Sequence, residues 1–193
     1  MGRPRLDDVR RPQILDAFAR CVARYGIAGS TLERVAAEAG VTRALVRHYL
    51  GNRDEVEAAL TRHMVQRDED DFDARLKGAP QGGRLGTVLD LAFGDGREAN
   101  AVVMDELLSV AGRLPEIRKM LRAHYRRIQR LLDRELAAAY PKADPRQRNA
   151  AAYGVLCIAG MDDSMRELGL QEARAGQGRR AADRLLSTLG RRG

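Results

Sequence analysis

Tryptophan is missing from this sequence, aromatics are limited to three phenylalanines and five tyrosines, and only two cysteines occur in 193 residues. Cys21 and Cys157 stand far apart within helical patterns and read as two small buried hydrophobes rather than a redox switch. His48, His63 and His124 are scattered and do not cluster with cysteine, so nothing points to a metal site. No apolar run approaches the ~18 residues of a membrane-spanning helix. The opening MGRPRLDDVRR has no apolar stretch behind its arginines, unlike a secretory signal, and a cytoplasmic protein is expected. Neither an internal repeat nor a useful length of strand pattern is present. Also absent are G-x-S-x-G, H-E-x-x-H, a phosphate-binding glycine loop and a Cys–His pairing, which argues against an enzyme. No cofactor is expected.

What is present is helix-forming material with an uneven charge. Residues 1–53 hold ten arginines against five acids, a net +5 of the chain's +7. A basic end attached to a near-neutral body is the footprint of a nucleic-acid-binding head. After a basic arm, residues 1–8, Ile14, Phe18, Cys21, Val22 and Tyr25 form one stripe of a 3.6-residue period, closed by Gly26 and Gly29. Pro12 fits only near the start of that helix. Ser30 and Glu33 have capping-box spacing and open a second helix to Ala39. Gly40-Val41 turns the chain, Thr42 caps a third helix through Tyr49, and Asn52 caps a fourth that fades in the acidic run 68–71.

Lys77–Arg84 reads as a loop, followed by helices around Leu85–Phe93, Glu98–Ala111 and Pro115–Ala139. The last of these carries Arg118, Lys119, Arg122, Arg126, Arg127, Arg130 and Arg134 on one face, most simply a solvated face. Asp144-Pro145 starts another helix, and its uncharged stretch Ala150–Met161 is apolar nearly all round. A final helix is expected near Arg179–Leu189.

The stretch Leu32–Gly51, LERVAAEAGVTRALVRHYLG, fits a helix-turn-helix. Val35, Ala39, Val41, Val46 and Tyr49 are its apolar contacts, Ala36 is small at the helix crossing, and Gly40 sits where the turn needs positive φ. A plain helical hairpin would explain that spacing, but not why the second helix exposes Arg43, Arg47 and His48. A recognition helix places its first residues against base edges, where arginine can bond guanine O6 and N7 with both prongs. Ala44 permits close approach or contact with a thymine methyl.

From Arg11 to about Arg62 the chain resembles the tetracycline-repressor (TetR) family. The matching segments are the first helix ending Tyr25-Gly26, then STLERVAAEAGVTR, then HYLGNRDEV. The resemblance implies an all-α subunit of nine or ten helices. Residues 1–51 would be a three-helix DNA-binding head, and residues 52–193 a helical body for ligand binding and dimerisation through the last two long helices. Carried over, Thr31 touches a phosphate, Thr42, Arg43, Ala44 and Arg47 face the major groove, and His48 and Tyr49 meet the sugar–phosphate backbone. Arg53 stands where the family usually has a phosphate-binding lysine. Leu50 replaces a common aromatic, and Arg47 holds a position often occupied by tyrosine.

The expected function is therefore a DNA-binding transcriptional regulator, a repressor released from an inverted-repeat operator by an unidentified small molecule. Met64, Phe93, Met104, Leu108 and Tyr125 are candidate ligand contacts, although each is more simply plain core. The dimer would use Ala150–Met161 and Arg179–Leu189. An architectural DNA-binding protein shares the charge pattern but has no use for ~140 further residues of helical body.

Overall fold

The computed structural model describes residues 6–80, 83–94, 98–170 and 176–190, and among these the only regular elements are helices. In chain order they are α1 (Leu6–Gly29), α2 (Leu32–Ala39), α3 (Arg43–Leu50), α4 (Arg53–Gly78) and α5 (Arg84–Phe93). After them come α6 (Glu98–Val110), α7 (Pro115–Ala139), α8 (Pro145–Glu167), α9 (Gln177–Ser187) and a 3-10 turn, Thr188–Gly190. The all-α architecture expected from the sequence is the one observed.

Most boundaries follow local chemistry. Thr42 Oγ1 accepts from Leu45 N (3.2 Å), and Asn52 and Glu55 cap one another reciprocally at 2.7 and 3.1 Å. Asp144 Oδ1 accepts from Arg146 N at 2.8 Å, so α8 opens as predicted. The sequence misplaced one cap by a residue. Thr31, not Ser30, caps α2, accepting from Arg34 N at 3.3 Å. Ser30 is fully buried, and its hydroxyl donates to Gly26 O at 2.7 Å.

Two lengths also differ. Helix α1 begins at Leu6, so Pro12 lies inside it rather than in its first turn. Helix α4 does not fade at the acidic run but continues to Gly78. Its charges are tolerated because the Asp71–Arg75 pair lies along the helix, and Arg127 donates to both oxygens of Asp73 at 3.0 and 3.1 Å.

The chain forms two compact units, and α4 and α7 pass from one to the other. The first comprises residues 1–69 and 97–123, which includes the whole helix-turn-helix and α6. Helices α1, α2 and α3 pack on one another, and α6 packs on α1. Ile14, Phe18, Val22, Val35, Val46, Val56 and Leu60 are buried to 1% exposure or less. Full burial of each such side chain contributes roughly 1.5–3 kcal/mol.

In the second unit, residues 70–96 and 124–193, α5, α8 and α9 pack together. Val88, Leu132, Leu136, Ala152, Val155, Ala182 and Leu186 form its core. Cys21 is buried, and burial pushes its thiol above the usual range. Cys157 is exposed, against the reading of both cysteines as buried hydrophobes, because it lies on the face of α8 opposite Ala152, Val155 and Ala159. No described helix is long and apolar enough to cross a membrane.

Candidate nucleic-acid interface

The helix-turn-helix is set by a glycine and two valines. Gly40 adopts φ 65°, ψ 34°, a left-handed conformation that strains other residues. Its N–H returns to the carbonyls of Ala36 and Ala37, and Val41 N bonds Ala36 O at 2.9 Å. Val35 of α2 and Val46 of α3 are fully buried, and Leu50 is 4% exposed. Leu50 thus fills core where the resemblance places an aromatic.

With one edge of α3 anchored, its other edge faces out. Thr42, Arg43, Ala44, Arg47 and His48 are all exposed, and Tyr49 is half-buried with its ring edge-on to His48 at 5.3 Å between centroids. Arg43 and Arg47 are one helical turn apart and share a face. Arg47 makes no ion pair among the described residues, whereas Arg43 Nη1 lies 3.0 Å from Glu33 Oε1 of α2. The Thr31 and Thr42 hydroxyls accept bonds as caps, and each retains its proton to donate to a phosphate.

Three other arginines of the head are engaged within it. Arg20 and Arg24 pair with Glu38 at 2.6 and 3.4 Å, tying α1 to α2. Arg34 donates to Gly29 O at 2.6 Å and lies 4.7 Å over the Tyr25 ring.

Arg53, which the resemblance makes a phosphate contact, is bonded within the head in this structure. Its Nε donates to Glu57 at 2.5 Å, while Nη1 and Nη2 donate to the backbone carbonyls of Ser30 and Ile27. The guanidinium also sits 5.8 Å from the Phe18 ring centroid. It is turned toward the α1–α2 junction rather than outward, because the carbonyls freed where α1 ends are within its reach.

The ligand candidates are divided between the two units. Met64, Met104 and Leu108 belong to the first unit, Phe93 and Tyr125 to the second. Met64 is buried, while Met104 and Tyr125 are half-buried. Leu108 is 43% exposed and points to solvent, which removes it as an interior contact of this subunit. Phe93 packs against the core of the second unit, consistent with simple core packing.

An open groove with a volume of about 300 Å³ lies between α8 and α9, lined by Ile158, Met161, Asp162, Met165, Leu170 and Gly178 among others. Sequence reasoning missed Glu33, read only as a capping residue, and Glu106, whose side chain reaches a backbone N–H 79 positions away. No local pattern marks either contact.

Comparison with known proteins agrees with this geometry. The family described as bacterial regulatory proteins, tetR family, matches residues 14–60. The HTH-type transcriptional regulator BetI of Burkholderia mallei is 32% identical over 160 residues, covering 80% of each chain. A TetR transcription regulator of Haloarcula marismortui shares the fold with a TM-score of 0.81, at 18% identity over 94% of this chain and 98% of that one. A transcriptional regulator from Saccharomonospora viridis, solved in complex with choline, matches with a TM-score of 0.72, at 17% identity over 93% of each chain.

Proposed function

Since this chain belongs to the tetR family of bacterial regulatory proteins and is a DNA-binding transcriptional regulator rather than an enzyme, we propose that it is a cytoplasmic, homodimeric repressor released from an inverted-repeat operator by a small molecule. The observation that carries the reading is the outward edge of α3, where Arg43, Ala44 and Arg47 stand exposed while Val46 and Leu50 fix the helix from behind. Arg43 and Arg47 read base edges, and Thr31, Thr42, His48 and Tyr49 hold the sugar–phosphate backbone. In this reading residues 1–51 are the DNA head and residues 52–193 the ligand-binding and dimerisation body.

The dimer is supported by α8. Its buried edge is taken up inside the subunit by Ala152, Val155 and Ala159, yet Tyr153, Cys157, Met161 and Met165, spaced four apart, are exposed. A row of this kind on a regulator is covered by a second copy. Two-fold symmetry then presents two identical reading helices about one helical turn of DNA apart.

Selection of bound duplexes from a random pool, followed by footprinting, tests the proposal. Two inverted copies of one half-site, occupied by one dimer, are expected. Protection of a single unrepeated half-site by one subunit overturns it, and uniform affinity for all sequences favours an architectural role. Choline, which a regulator of the same fold holds, is the first ligand to titrate against the complex.

A further inference from the structure

Helix α1 breaks one turn before its end. Gly26 takes φ 67°, ψ 170°, so the Ile27 N–H that follows loses a regular helical acceptor. Glu106 of α6 supplies one. Its Oε2 accepts from Ile27 N at 2.6 Å, a charge-assisted bond in a partly buried setting. The carbonyl of the same residue accepts from Arg53 Nη2 of α4, whose Nη1 holds Ser30 O. Ile27 is therefore gripped at its N–H by one helix and at its C=O by another. Its own side chain is 5% exposed, and Ser30 beside it closes back on Gly26 O at 2.7 Å. All of these groups belong to the first compact unit.

We infer that Glu106 is a positioning residue for operator recognition, setting the orientation of the α1–α3 head on α6 through the Ile27 N–H. The inference rests on the dimeric, inverted-repeat reading above. A bond from a carboxylate to a backbone N–H at a helix break fixes direction as well as distance. With Arg53 holding the opposite side of the same residue, a displacement of α6 relative to the first turn of α4 loads the end of α1. Gly26 leaves room for the carboxylate, since a Cβ there would lie 3.1 Å from Glu106 Oε2. In a dimer the head orientation sets which half-site spacing is matched.

The test measures equilibrium affinity of the full chain for the selected operator and for operators with the spacer lengthened or shortened by one and two base pairs. Amide exchange at Ile27 and Val46 is followed in parallel. The wild type is expected to discriminate sharply among spacers. Glu106→Ala should lose about tenfold in affinity at the native spacing and much less at altered ones, so that spacer discrimination flattens. Ile27 exchange should accelerate at least tenfold while Val46 keeps its protection.

Glu106→Asp, which keeps the charge but draws the carboxylate back by one methylene, should behave like the alanine variant, and it decides the matter if that variant fails to fold. Glu106→Gln, which keeps an acceptor oxygen at full reach, should restore most of the wild-type pattern. An equal loss on every spacer, or an unchanged Ile27 exchange rate in the Ala and Asp variants, overturns the inference. A wild type indifferent to spacer length overturns the underlying dimer reading and the inference with it.

Discussion

Arg43 at the start of the recognition helix and Glu33 of α2 face each other across the helix-turn-helix turn, with Nη1 and Oε1 3.0 Å apart. Both side chains are more than half exposed, at 61% and 59%, and such a pair contributes roughly 0–1 kcal/mol. A pair this weak would cost little to break if, as proposed, the guanidinium meets a guanine edge.

Arg43→Ala is expected to weaken binding to the best operator by ~1–3 kcal/mol, with discrimination collapsing at a single base-pair position. Glu33→Gln removes a negative charge beside the phosphates and should tighten binding to scrambled duplex severalfold, narrowing the margin between operator and non-operator. Titration on the selected operator, its single-base variants and scrambled DNA measures both. Uniform weakening on every sequence by Arg43→Ala would place α3 differently in the groove.

Arg53 gives a contrasting outcome. Because its guanidinium is held by Glu57, Ser30 O and Ile27 O, Arg53→Ala should cost about 2 kcal/mol of stability in denaturant unfolding. The slope of log affinity against log salt should stay as in the wild type. A slope reduced by roughly one per half-site would show instead that Arg53 neutralises a phosphate, as its position in the family pattern implies.

The exposed row on α8 predicts the response of the oligomer. Met161 is 49% exposed, so Met161→Glu should yield monomers in sedimentation and abolish tight operator binding. Ala159, at 7% exposure inside its own subunit, is the wrong place for that charge and would disrupt folding instead. Cys157 lies in the same exposed row, so one thiol per chain should become reactive in the Met161→Glu monomer, while buried Cys21 reacts only on unfolding. A wild type that sediments as a monomer at micromolar concentration removes the dimer.

Glu38 makes part of the head's stability depend on pH. The hydrogen bond from Arg20 holds its carboxyl below the ordinary range, helped by the charge of Arg24 and opposed by desolvation. A depressed carboxylate contributes its full stabilisation above the unfolded value of about 4.3 and loses it as pH falls through the native value. Between about pH 5 and pH 3 the wild type should therefore lose stability faster than Glu38→Gln, with little pH-dependent difference between them above pH 6. Urea unfolding at several pH values checks the sign, and parallel curves would remove Glu38 from the α1–α2 link.

How much was legible in the sequence follows from how far apart the interacting groups are. Within residues 31–52 the third helix and its turn were legible because their caps and turn residues lie within four positions of what they control, whereas the Thr31 cap, the buried place of Leu50 and the Glu33–Arg43 pair were not. Thr42 caps through Leu45 N, Gly40 returns its N–H to Ala36 and Ala37, and Val46 anchors one edge of α3 so that Arg43 and Arg47 occupy the other. Helical periodicity likewise gave α7 its observed ends and the Asp144 cap its place before α8. Those features are properties of a short stretch of chain, and the sequence alone determined them.

Tertiary structure decided where a side chain had several partners to choose among. Arg53 turned inward because the end of α1 leaves carbonyls open beside it, and Glu106 was recruited by the N–H that the Gly26 break had freed. Leu108 faces outward and Cys157 lies exposed because the packing edges of α6 and α8 were already filled by Leu107 and Val155. Charge and hydrophobicity fix what a residue can do. Which neighbour it meets is set only when distant helices close on one another and the burial of their apolar edges leaves the polar groups to pair with whatever lies within reach.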